Sequence, residues 1–151
     1  MNNILWVILI AAAPVLELRG AIPLAIKMGF DPYEAFLFSV IGNILPVPIL
    51  LFVFSPITER LRRLSCFSKF FNWLEERTKR KAALIEKYEF LGLILFVAIP
   101  FPTTGAWTGS FAASIFKMRF KKSFLAITLG VIIAAVIVSL ISWGGFSLFK
   151  S

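Results

Sequence analysis

Glu17, Arg19 and Lys27 are the only charged side chains in the first 30 residues, which are otherwise apolar. An ionised group at membrane depth costs on the order of 3 kcal/mol even on a lenient insertion scale, so each needs a partner or water. A carboxyl held partly out of water beside a break in a helix can load and release a proton, which makes Glu17 the outstanding proton-exchange candidate. Arg19 stays charged and suits an anionic group or Glu17 itself. Residues two apart point to different sides of a helix, so a Glu17–Arg19 pair that only ties the segment together requires the break. Lys27, near the end of the segment, reads as a snorkelling side chain. A second polar set, "PFPTTGAWTGS" from Pro100 to Ser110, holds no charge but gathers Thr103, Thr104, Thr108 and Ser110 with Gly105 and Gly109. Hydroxyls and unpaired backbone groups at a break bind an ion or a polar head, or else the threonines bond their own helix and the glycines serve close packing. Trp107 reads as a packing residue, and Asn43, ahead of Pro46 and Pro48, as a weaker polar contact at a kink.

These residues need an apolar frame. The 151 residues are 59% hydrophobic and 15% aromatic, with a mean hydropathy of +0.88, more apolar surface than one soluble domain of this length can bury. Lysine and arginine number 16 against 8 acidic residues. They fall between four charge-free runs, 1–16, 35–58, 90–116 and 123–149, as in an integral membrane protein with basic loops, and charge alone does not argue for nucleic-acid binding. Histidine is absent and Cys66 is the only cysteine, so no disulfide framework and no ordinary zinc or haem site is expected, and no cofactor is called for. The absence of a paired-aspartate motif or a convincing Ser-Lys dyad argues against an enzyme.

The second and fourth runs suit spanning helices. The first and third carry Pro14, Pro23, Pro100 and Pro102 with Gly20, Gly105 and Gly109 near their middles, which argues against a continuous helix. Nine basic residues between Arg60 and Lys87 and four more in "KMRFKK" (117–122) share one face only if the first and third runs dip in and return. The expected fold is therefore an all-α integral membrane protein. Its first repeat, 1–56, holds a re-entrant hairpin at about 4–28 and a transmembrane helix at about 33–54. A basic amphipathic linker, 57–89, lies along the cytoplasmic interface against membrane lipids. The second repeat, 90–146, holds a hairpin at about 90–116 and a helix at about 122–143. Gly20-Ala21 pairs with Gly105-Ala106 at a separation of 85, and Phe36-Leu37 with Phe124-Leu125 and Gly42 with Gly130 at 88. One net crossing per copy gives the inverted-repeat plan of many secondary transporters, with the site between the breaks. "MNN" lacks the basic start of a cleaved signal peptide.

"LELRGAIPLAIKMGFDP" and "PFPTTGAWTG" together resemble the family of small multidrug export proteins, which is similar to the broader DedA (SNARE-associated, VTT-domain) group, over about Leu5 to Gly144. The resemblance implies two re-entrant hairpins in inverted repeat and transport dependent on proton motive force. The hairpin glutamate of that family matches Glu17, with Arg19, Gly20 and Pro23 completing the first motif and Pro100, Pro102, Thr104, Gly105 and Gly109 the second. DedA proteins usually carry an arginine in the second hairpin, and here none precedes Lys117. The expected function is a proton-coupled secondary transporter for a small amphipathic molecule or lipid. Glu17 would exchange the proton, and Arg19, Gly20, Pro23, Pro100, Pro102, Thr103, Thr104, Gly105, Thr108 and Gly109 would form the substrate site. A homodimer in the plasma or inner membrane is expected, because so small a chain barely encloses a path. The competing class is a membrane scaffold that shapes the bilayer without transporting.

Overall fold

The computed structural model describes residues 2–80, 82–101 and 104–149, and every regular element among them is a helix. The first apolar run is broken, as its composition requires. Helix α1 (Asn2–Ala12) stops before Pro14, which has no N–H to continue the ladder, and α2 (Glu17–Lys27) restarts after four residues. Glu17 opens α2 at φ 47°, a left-handed conformation that is uncommon for a side chain of this kind. Pro23 does not break the chain as expected: α2 runs through it and only the bond to the Arg19 carbonyl is lost.

Helix α3 (Pro32–Ile44) starts with Pro32 in its first turn, where a missing N–H costs nothing. Pro46 and Pro48 interrupt it for two residues before α4 (Val47–Arg62). Together α3 and α4 form one apolar span, Pro32–Arg62. Helix α5 (Ser65–Arg80) follows, with Phe67, Phe70 and Trp73 exposed and Phe71 buried. Helix α6 (Ala82–Ala98) begins inside the stretch read as linker and ends ahead of Pro100. After the second break come α7 (Ala106–Ile115) and α8 (Phe120–Phe149), the latter holding the second apolar span, Phe120–Gly145. Both spans are long and apolar enough to cross a bilayer.

The hydrogen bonds of the turn after α2 recur 88 residues later. Helix α2 ends in a Schellman turn with Gly29 N–H donating to Ile26 O and Phe30 N–H to Ala25 O. Helix α7 ends in the same turn, Lys117 N–H donating to Ser114 O and Met118 N–H to Ala113 O. Gly29 (φ 90°) and Lys117 (φ 52°) hold the same left-handed position. The register is thus 88 at these turns as well as at Phe36/Phe124 and Gly42/Gly130. It sets Glu17 opposite Gly105 and puts the Gly-Ala pairing at 85 out of step.

Packing follows the same order. Helix α1 lies on α3, where a Cβ on Gly42 would stand 2.5 Å from Ile8 O. Helix α6 lies on α8, where a Cβ on Gly130 would stand 2.9 Å from Ile94 O. The second arms cross over, α2 also packing on α8 and α7 on α4. The core between them includes Leu18, Ile22, Val47, Val97, Ile127 and Val131.

Candidate functional site

The two breaks meet tip to tip. Helix α7 begins after Gly105, which has no side chain with which to satisfy the first backbone donors. Its Trp107 N–H instead donates to Glu17 Oε1 at 3.4 Å, so a carboxyl from the first break caps the helix that leaves the second. Gly105 makes room for it: a Cβ at that position would overlap the Glu17 carboxyl group. The other half of the cap is local, Gly105 N–H donating to Thr108 Oγ1 at 3.0 Å. The positive end of α7 therefore faces a carboxyl that is 7% exposed.

Arg19, two residues further along α2, also reaches across. Its Nη2 donates to Thr104 Oγ1 at 3.2 Å. Thr104 in turn donates to Ile99 O at 2.6 Å and accepts from Phe101 N–H at 3.2 Å, which folds the second break into a tight turn. The hydrogen bonds of Glu17 and Arg19 thus both run to the second break. A third link comes from Trp107, whose indole N–H donates to Ala12 O at 3.0 Å, satisfying a carbonyl at the open end of α1. Trp107 thus adds a cap on α1 to the packing role expected for it.

Pro14, Val15, Leu16, Glu17, Arg19, Thr104 and Thr108 enclose a cavity of about 40 Å³. That is room for a water or two, far below the several hundred Å³ of a site for a drug-sized ligand. Of the other candidates, Gly105 abuts the Glu17 carboxyl group, Pro100 follows the end of α6, and Gly20 and Pro23 lie within α2. Gly109 packs α7 on α6, since its Cβ would stand 2.5 Å from Val97 Cγ2. Pro102 and Thr103 lie outside the described residues. Ser110 is buried and donates to Ala106 O at 2.7 Å, a bond within its own helix.

Sequence reasoning passed over Ser39. It is fully buried with Asn43, four residues on, and neither its hydroxyl nor the Asn43 amide has a hydrogen-bond partner. A polar pair at i, i+4 puts both on one face of an apolar helix, and that spacing was the available signal.

A family model described as "Putative small multi-drug export protein" matches residues 17–137, which begins at Glu17, just after the first break, and takes in the second. The chain belongs to this family. No curated protein and no solved structure matches it. The family description and the two apolar spans support a membrane protein of the export class. Within the small multi-drug export family chain described here, the matched region holds every polar contact between the breaks except the Ala12 carbonyl.

Proposed function

We propose that this family member is a proton-coupled secondary transporter of DedA-like plan that moves a small amphipathic molecule or a lipid. It would work as a homodimer in the cell membrane with its basic end cytoplasmic. The observation that carries the proposal is the Glu17 carboxyl group seated at the N-terminus of α7, in the space left by Gly105.

The two halves support an inverted pair of re-entrant hairpins. Helices α1, α2 and α7 have 11, 11 and 10 residues, each about 15 Å long, half of a ~30 Å hydrocarbon core. Arg62, at the far end of the Pro32–Arg62 span, donates to Ile115 O at 2.7 Å. The turn after α7 therefore lies at the opposite end of that span from the turn after α2.

As a carboxylate, Glu17 accepts from Trp107 and complements the α7 dipole, holding the tips together. Protonation removes the charge and weakens this link, which frees the tips to part. The closed cavity is too small for an amphipathic molecule, so passage requires that separation, and proton uptake supplies the differential interaction that drives it. Arg19 and the Thr104 turn would then face the substrate's polar group.

The test uses purified protein in liposomes with an imposed pH gradient and ethidium as the amphipathic probe. Wild type should accumulate the dye only with the gradient, and Glu17→Gln should abolish that dependence. Equal movement by both proteins without a gradient overturns proton coupling. No movement by wild type, together with loss of thermal stability in Glu17→Gln, favours the scaffold reading, in which the cap only locks the breaks.

A further inference from the structure

A larger cleft lies at the other end of the molecule from the turn after α2, and the transport reading does not use it. It has a volume of about 640 Å³ and lies between α4, α7 and the start of α8. One wall is apolar and exposed: Phe52, 75% exposed, packs against Phe120 with ring centroids 5.7 Å apart. Its floor is polar, with Thr58 and Ser114 hydroxyls 2.5 Å apart. Arg62, Lys117 and Glu59 complete the lining.

Two features of the cations are not explained by packing. Arg62 is held firmly, its Nη2 on Ile115 O and its guanidinium 4.5 Å over the Phe71 ring, yet its Nε is buried with no hydrogen-bond partner. Lys117 occupies the left-handed C′ position of a Schellman turn, where the matching turn 88 residues earlier has Gly29. A side chain there is unfavourable, and glycine is the ordinary solution. Lys117 keeps that conformation while lining the cleft. Together with Glu59, the two cations leave one net positive charge.

We infer that this cleft binds the phosphodiester head of an anionic phospholipid, with Arg62 and Lys117 on the phosphate and the first part of an acyl chain along Phe52 and Phe120. One net charge suits a phosphodiester monoanion better than a free phosphate dianion, and the apolar wall has no use for a water-soluble ion. The site binds a resident lipid and is independent of whether Glu17 couples transport to protons.

The test measures lipid binding to the purified full-length chain in detergent by native mass spectrometry, with phosphatidylglycerol and phosphatidylcholine as probes. Wild type should bind phosphatidylglycerol roughly tenfold more tightly, the scale of one charge-assisted contact. Lys117→Gly should lose most of that preference while raising the melting temperature, because glycine relieves the turn. Arg62→Gln should lose it as well, and if that variant fails to fold, the exposed Lys117 position carries the test alone. Equal binding of the two lipids by wild type, or an unchanged preference in Lys117→Gly, overturns the site. Displacement of phosphatidylglycerol by millimolar inorganic phosphate alone overturns the lipid assignment.

Discussion

Glu17 combines three properties that seldom occur together: burial, a left-handed backbone and a carboxyl group used as another helix's cap. An L-residue pays on the order of 1–2 kcal/mol for φ near +50°, so the position keeps its side chain against a local penalty. The cap works only because position 105 is glycine. Gly105→Ala puts a methyl group into the carboxyl group's place and should destabilise the protein by about 1–3 kcal/mol, the range for overpacking a closed site. On a Glu17→Ala background the same change should cost much less, a coupling of roughly 1 kcal/mol or more for residues in contact. Thermal unfolding in detergent of the four proteins of this cycle checks it, and additive losses would mean that the two positions do not touch. At this scale the sequence was informative about charge and poor about partners. Glu17, Arg19 and Thr104 stood out as polar groups in apolar runs. The indole of Trp107 on Ala12 O did not, because a tryptophan in a membrane segment is ordinarily packing and its bonding partner lies 95 residues away.

The eight helices among the described residues follow from local chemistry wherever proline or glycine ends them, and the failures are instructive. Pro14 and Pro100 broke the chain as expected, but Pro23 did not, since one lost bond inside a packed helix is tolerated when Leu18, Ile22 and Ala25 bury its face. A recurrence at 88 was legible in Phe36-Leu37 with Phe124-Leu125 and in Gly42 with Gly130. The Gly-Ala pairing at 85 is out of step with it, and the matching pair of Schellman turns at 88 is revealed only by hydrogen bonds. The repeat also sorts the glycines. Gly42 and Gly130 let α1 approach α3 and α6 approach α8, whereas a Cβ on Gly92 would meet nothing within 4 Å. Gly42→Ala presses a methyl group on the Ile8 carbonyl and Ala11, backbone that cannot swing aside, and should cost about 1–3 kcal/mol. Gly92→Ala, the same chemical change inside α6, should stabilise by up to ~1 kcal/mol through helix propensity alone. Paired melting curves decide, and equal shifts for the two variants would show that α1 and α3 are not in close contact.

The molecule as a whole is set by where its basic residues gather. Arg62 on Ile115 O and Thr58 beside Ser114 tie the end of α4 to the end of α7, so the cluster at Arg60–Arg63 and the KMRFKK turn lie at one end of the helical body. Positive charge concentrated at one end is what orients a membrane protein, and α5, with Phe67, Phe70 and Trp73 exposed, follows the Arg60–Arg63 cluster directly. The turn at Phe30–Asp31 lies at the other end of the Pro32–Arg62 span. Four full crossings would separate the two basic clusters; two hairpins and two spans keep them together. Cys66 is exposed and serves as the native reporter for the first cluster. On a Cys66→Ser background, Lys121→Cys reports the second cluster from an exposed position, where Ser123, 1% exposed, would not, and Asp31→Cys reports the opposite end. With an impermeant maleimide on intact bacterial cells expressing the protein, only Asp31→Cys should be labelled before lysis, and the other two only after it. Labelling of Cys66 and Lys121→Cys from opposite sides would put a full crossing between them, and the tip-to-tip meeting of Glu17 with α7 could not then occur at mid-membrane.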